Sequence, residues 1–422
     1  MAQNAFSRRE FLHRSGFVAS LAMVQASLPR WMPRLAFAPR YQSARGDVLV
    51  CVFLRGGADA LNMIVPYAEA AYYAQRPDLA LARPDDASAA ADQRVLDLDG
   101  FFGLHPGMAP LLPLFQSGTA LAVHASGSPD PTRSHFEAMD YMERGTPGMQ
   151  ALASGWIGRH LATLSNGNNS PVRAVGWGTA VPQSLRGFIS PLALQSIADY
   201  HLAGRPEVAA QMLNTLRGLY DLETDGLQAA AQATQDALQV VQSVDIGGYV
   251  PRNGATYPED DFAFGLLQTA ALIRAEVGLE VACLDLGGWD THEAQGAAAG
   301  RQANLVGQLA SGLAAFCQDM QADMGRISLV VMSEFGRRVD QNASRGTDHG
   351  RGGALLLLGQ HFQRSGVYTQ WPGLEDLDGG ALRVTTDYRD VLAELLQIRL
   401  GNPALDQIFP THTVALPGLF RV

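Results

Sequence analysis

The sequence predicts a doubly wound α/β fold, a mostly parallel sheet with helices on both faces. Three observations carry that reading. Unbroken apolar runs such as Asp47–Leu54 (D-V-L-V-C-V-F-L) and Ala354–Leu358 read as strands buried on both faces. These runs alternate with longer stretches whose apolar residues recur at helical spacing. Several runs adjoin dense polar knots, and ligands of open α/β sheets gather at the carboxyl ends of strands. With 422 residues and 47% hydrophobic content, the chain can bury one large core or two intimate ones.

Charge and cysteine narrow the function classes. The formal charge of -10 excludes a nucleic-acid scaffold, which needs a basic footprint. It leaves anionic substrates open, because a local metal or Arg can invert the field. Cys51, Cys283 and Cys317 show no motif spacing, so they offer neither a disulfide framework nor a zinc cage. They read as small buried hydrophobes.

Residues 1–38 read as an address. Arg8 and Arg9 are paired, Phe11 and Leu12 follow, and a modest apolar stretch runs from Gly16 to Leu28. This resembles a twin-arginine export signal, with Ala36-Phe37-Ala38 as a small-x-small cleavage site. The apolar run is too short and Ser-rich for a membrane span, so no transmembrane span is expected in the mature protein. The expected destination is the periplasm or the cell surface, by way of the twin-arginine machinery. The domain itself is then 39–422.

The first strand, Asp47–Leu54, opens into R-G-G-A-D-A-L-N. Two glycines allow a sharp turn and close approach to a ligand. Asp59 reads either as a cap of the next turn or as a first-strand metal ligand. Arg55 is a candidate anion binder. Residues 82–100 read as an exposed loop. His105-Pro106 opens a helical stretch to Gln116, and His105 reads as structural.

Ala120–Ala125 is the next strand, entering S-G-S-P-D-P-T-R-S-H-F-E. A helix begins near Ser134. Ser134 with Glu137 fits a capping box. Alternatively, Ser134 is a nucleophile in the positive potential of the helix start, with Arg133 binding the anion and Thr132 as the rival hydroxyl.

Gly155–Thr163 reads as helix and Val172–Val175 as strand; Trp177 after it either lines a pocket or, as the preferred reading, takes a core or lid role. Residues 206–244 are rich in Ala, Leu and Gln, so a helical insertion or cap is expected at about 200–260. Phe262–Val277 is the next helix. The run Leu279–Leu284 closes in L-D-L-G-G-W-D-T-H-E. If that strand stays extended, Asp290 and His292 share a face, as two ligands of one ion require. The alternative is a surface turn over a packed Trp289.

Gly300–Met324 reads as helix and Ile327–Met332 as strand, with Glu334 just beyond beside Arg337 and Arg338. In G-T-D-H-G-R-G-G, Asp348 and His349 point oppositely if extended, so one can bind an ion while the other orients a ligand. Asp387 reads as the N-cap of the last long helix, and His412 as incidental.

These motifs, V-F-L-R-G-G-A-D-A-L-N, S-P-D-P-T-R-S-H-F, L-D-L-G-G-W-D-T-H, S-E-F-G-R-R, G-T-D-H-G-R-G-G and T-T-D-Y-R-D-V-L, together resemble an exported bacterial family known as domain of unknown function 1501. That family is grouped with the alkaline phosphatase and sulfatase superfamily. The resemblance implies hydrolysis of phosphate or sulfate esters, small or polymeric, at a site of one or two divalent ions. It implies Ser134 as nucleophile, one ion on Asp290, His292 and His349, and a second on Asp59 and Glu334, with Asp348-His349 as the other match to the strand-end pair. Carboxylate and imidazole ligands favour zinc or manganese. The competing expectation is a non-catalytic exported surface or assembly protein that keeps the fold around a structural ion.

Overall fold

The computed structural model describes residues 46–421 apart from 165, 188–190, 199–214 and 216–225. The export address at 1–38 and much of the helical insertion lie outside the described residues; of that insertion, the helix Gly226–Gln242 is described. Among the described residues, those of Tyr41–Tyr200 and Gln239–Val422 form one compact unit, distinct from a unit that includes the start of the helix Gly226–Gln242. The unit of Tyr41–Tyr200 and Gln239–Val422 carries the sheet.

The strands of that sheet are β1 (Val48–Leu54), β2 (Ala120–Gly127), β3 (Ala174–Trp177), β4 (Leu192–Leu194), β5 (Val281–Leu286), β6 (Ile327–Ser333), β7 (Gly353–Leu358), β8 (Gly366–Tyr368) and β9 (Thr386–Asp387). Their order is β8-β2-β7-β6-β1-β5-β3-β4, and β9 pairs with β2. All pairs are parallel except those of β7, which runs antiparallel to both β6 and β2. The expected doubly wound, mostly parallel sheet is therefore present, with one reversed strand.

The alternation of side chains along β1 explains the two faces. Val48, Val50, Val52 and Leu54 enter one core, with Phe262, Leu266 and Ala270 of α3 (Asp261–Arg274) and Leu309 and Leu313 of α4 (Arg301–Asp319). Leu49, Cys51 and Phe53 enter the other, with Trp156, Ile157 and Leu161 of α2 (Trp156–Thr163) and Val391 and Leu392 of α5 (Tyr388–Glu394). Each such fully buried aliphatic side chain stabilises the fold by about 1.5–3 kcal/mol. Cys51 and Cys283 are register partners on β1 and β5, and all three cysteines are free and buried.

Two local expectations change. Residues 82–100 are not a bare loop. Leu96–Asp97 joins Gly103–Leu104 and Ile64–Val65 in a small antiparallel sheet, because Val95 and Leu104 have a core to enter. The capping box at Ser134 does not form. Ser134 is the N-cap of α1 (His135–Arg144) without a side-chain cap, since Glu137 instead accepts from Thr132 Oγ1 at 2.7 Å.

Candidate metal centre

The carboxyl ends of β1, β2, β5 and β6 share one rim of the sheet, as parallel pairing requires. Because β7 runs the other way, its entry loop, Gly346–Gly352, arrives at that rim as well. The loops interlock through backbone: Arg337 bridges His349, and Gly336 bonds Gly350 and Arg351. Several of the glycines approach neighbouring backbone. A Cβ on Gly56, at φ +120°, would lie 2.5 Å from Asp290 N, and one on Gly346 would lie 2.2 Å from the carbonyl carbon of His292.

Four side chains meet at this rim. Asp290 Oδ1 lies 3.1 Å from His292 Nε2, 3.3 Å from His349 Nε2 and 3.5 Å from His135 Nε2. His292 Nε2 and His349 Nε2 are 2.9 Å apart. The opposite ring nitrogens are all taken by oxygens that can only accept. His135 Nδ1 donates to Glu334 Oε1 at 2.7 Å, His292 Nδ1 to Asp348 Oδ1 at 3.0 Å, and His349 Nδ1 to the carbonyl of Arg133 at 2.8 Å.

Protonation follows from those partners. With Nδ1 the donor in all three rings, each neutral imidazole presents a lone pair at Nε2. The lone pairs of His292 and His349 face each other, and all three face the Asp290 oxygen that accepts from Arg337; a proton or a divalent ion among them relieves this crowding of acceptors. Donors bound to one divalent ion at about 2.0–2.2 Å lie roughly 3 Å apart, which matches this spacing. His135 Nε2 is moreover a buried nitrogen without a hydrogen-bond partner. His135, Asp290 and His349 each offer an atom within 4.8 Å of the others. These residues therefore fit a divalent ion, and their oxygen partners fit the supporting role that fixes ring orientation around a metal.

Electrostatics agree. Burial would raise the Asp290 carboxyl, but hydrogen bonding and charge from Arg337, with help from the histidines, bring it down to about 2. Burial also opposes ionisation of Glu334, yet His135 and the backbone of the Gly56 turn hold it below its ordinary range. Asn342 and then His292 lower Asp348. Glu334 in turn lifts His135 above the usual imidazole value, so this ring holds a proton more readily than an ordinary imidazole until an ion displaces it.

Arg337 ties the site together. Its fully buried guanidinium donates to Asp290 Oδ1 at 2.5 Å, to the carbonyls of Gly57, Trp289 and Thr347 at 2.7, 3.1 and 2.8 Å, and to that of Gly56.

The structure thus brings together Asp290, His292 and His349, with Glu334 and Asp348 one step behind them. Asp290 and His292 do so without an extended strand, since β5 ends at Leu286 and a loop carries both. Three expectations about charged groups are corrected. Asp59 is not at the cluster: it is buried against Arg76, at 2.5 and 3.0 Å, and accepts from Gln295 at 2.7 Å, so its oxygens are consumed. Arg55 is held by Glu143 at 2.7 Å and Asp285 at 3.0 Å, which neutralise it as an anion binder. Arg133 turns its guanidinium to the carbonyls of Asp378 and Gly379, at 3.3 and 3.2 Å, and serves the site through its own carbonyl.

Two residues escape the sequence reading. His135 was hidden beside the hydroxyls of T-R-S-H-F, where the helix start drew attention to Ser134. Arg337 carries no motif that separates it from Arg338; only its burial marks it.

Residues 47–398 match a family described as "Protein of unknown function (DUF1501)". No curated protein matches the chain. Among solved structures, a protein in the alkaline phosphatase superfamily from Vibrio parahaemolyticus is 10% identical over 95% of this chain and 79% of its own, with a TM-score of 0.33. Ps i-CgsB in complex with k-i-k-neocarrahexaose is 11% identical over 85% and 72%, with a TM-score of 0.34. The phosphonate monoester hydrolase SpPMH from Silicibacter pomeroyi is 10% identical over 84% and 73%, with a TM-score of 0.26. Among the described residues, no helix is long and apolar enough to cross a membrane.

Proposed function

The chain belongs to the DUF1501 family, whose description assigns no reaction, and we propose from its own residues that it is an exported, metal-dependent hydrolase of phosphate or sulfate esters. One observation carries the proposal: three imidazole lone pairs and the Asp290 carboxylate converge, each imidazole fixed by an oxygen behind it. The donor set of nitrogen and carboxylate oxygen, without thiolate, suits zinc or manganese. With Asp59 committed to Arg76, the described donors serve one ion.

A divalent ion bound there supplies Lewis acidity toward an ester oxygen. The chain's own residues do the rest. His135, His292, His349 and Asp290 hold the centre, and Glu334, Asp348 and the Arg133 carbonyl keep the rings aimed. Ser134 Oγ supplies the attacking oxygen. It is exposed, it forms no capping bond, and it adjoins His135 at the start of α1, where backbone N–H groups and the helix dipole favour negative charge. Thr132 is the weaker candidate, because its hydroxyl donates to Glu137 and accepts from the Ser134 amide at 3.3 Å. The alcohol departs from the side opposite Ser134, with the proton that the hydroxyl gives up, and water then attacks the ester left on Ser134 Oγ, releasing phosphate or sulfate and restoring the hydroxyl. Export rests on the Arg8-Arg9 segment read above.

Metal analysis with an ester screen tests this. The purified protein, titrated with zinc or manganese, is expected to bind one ion per chain, and His349→Ala to lose it. Turnover on p-nitrophenyl phosphate or sulfate, or on a wider ester panel, is expected to vanish in Ser134→Ala. Full metal occupancy with no turnover on any ester would instead support a non-catalytic surface protein built around a structural ion.

A further inference from the structure

A second cleft opens on the same rim. Its volume is about 380 Å³, and it lies where β3 and β5 end, lined by Trp177, Thr179, Gln195, Asp261, Phe264 and Asp285 among others. That size suits a bound small molecule or one or two rings of a longer one. A short series of contacts links it to the metal centre. Asp285 pairs with Arg55 at 3.0 Å, and a Cβ on the next residue, Gly56, would touch Asp290.

The cleft's chemistry is specific. Trp177 is held rigidly. Its Nε1 donates to Thr269 Oγ1 at 2.8 Å, and Thr269 donates to the Gly265 carbonyl, also at 2.8 Å. The indole N–H is therefore satisfied inside the protein, and only ring carbons are offered outward. Phe264, on α3, is 42% exposed, unusual for its type on an otherwise buried helix. Beside these rings stand carboxylates, an amide and a hydroxyl. Aromatic faces flanked by oxygen acceptors suit a ring with apolar C–H faces and hydroxyls at its edge.

Charge excludes the other occupants. No cation lines the cleft among the described residues, so a sulfate or phosphate group would meet Asp261 and Asp285 unaided. A purely apolar ligand would cover the Asp261 carboxylate and take water from it without offering a hydrogen bond. A basic peptide finds a single acid, Asp261, because Arg55 already answers Asp285.

We infer that this cleft is a saccharide subsite, holding the uncharged ring or rings of a glycan whose charged ester lies at the metal centre. The position of the ester rests on the hydrolase reading above; the cleft's affinity for sugar does not.

The test uses neutral oligosaccharides, so that no turnover or metal is needed. Cello-, xylo-, chito- and agaro-tetraose are titrated against the full chain, with ligand-observed NMR and tryptophan fluorescence as readouts. At least one is expected to bind. Phe264→Ser, an exposed change that leaves the fold intact, is expected to weaken binding roughly ten-fold, the loss of one ring contact. Trp177→Phe should abolish the fluorescence response, and His349→Ala should leave affinity unchanged. Binding by none of the glycans, binding untouched by Phe264→Ser, or binding of tri-arginine in their place would overturn the inference. Glycan binding without ester turnover would sink the hydrolase reading and leave the subsite standing.

Discussion

Asp59 and Asp290 are both aspartates a few residues past a central strand, and their surroundings set them to different work. Asp290 keeps one oxygen toward three imidazoles and remains partly open to solvent. Asp59 is buried in a bidentate pair with Arg76, which also bonds Asn62 and the carbonyls of Arg338 and Val339. Breaking such a pair leaves a buried charge unanswered, at about 3–5 kcal/mol. Asp59→Asn is therefore expected to lower the urea unfolding free energy by that amount while the folded fraction still binds one metal ion. Loss of metal at undiminished stability would return Asp59 to the ligand set. This distinction was not legible in the sequence. The partner, Arg76, lies in a stretch without a motif, and charge pairing across it depends on a turn that no local pattern announces. His292, His349 and Asp290 were legible because each stands in a knot of polar residues among glycines.

At the scale of elements, β1, β2, β5, β6 and β7 were visible as apolar runs, and their boundaries moved by only a residue or two. Direction was not visible. An evenly apolar run such as Ala354–Leu358 reads the same either way, and only the antiparallel register with β6 shows why a knot that precedes its strand reaches the common rim. Strands of three residues, such as β4 and β8, are too short to show a period at all. Some glycines of the knots give room to the neighbouring loop's backbone, Gly56 to Asp290 and Gly346 to His292. Gly346 packs against the carbonyl of His292, and backbone cannot yield as a flexible side chain would. Gly346→Ala is expected to push the His292 and Asp348–His349 loops apart. The fold should lose about 1–3 kcal/mol, as overpacking does. Zinc affinity, measured by competition with a chromophoric chelator, should fall at least about ten-fold, the range seen when support for a metal ligand is lost. Unchanged affinity would mean that these loops do not depend on each other for the centre.

The unit that carries the sheet has helices on both of the sheet's faces, and each side encloses a histidine outside the metal centre. His124 lies on the β2 face that packs with Phe102 and Trp371, and His160 lies in α2 on the other face. Burial takes each from an ordinary 6.5 down to about 4. Hydrogen bonding works in the same direction. His124 Nδ1 accepts from the Ala125 amide at 2.7 Å, and His160 Nδ1 accepts from Asn402 Nδ2 at 2.9 Å, so protonation would set donor against donor in both layers. The unfolded chain takes up these protons near 6.5, and the native chain waits until about 4. Stability is then complete above pH 6.5 and drains away as pH falls toward 4, by up to about 3 kcal/mol for each imidazole at 1.36 kcal/mol per unit. Urea midpoints, taken with excess chelator so that metal release does not contribute, are expected to drop steadily across that window. His160→Gln keeps an acceptor for Asn402 and removes the titrating group, so its profile should be flatter by roughly half of the decline. A midpoint level between pH 6.5 and 4 in the parent chain would show that these two rings are not what makes the layers sensitive to acid.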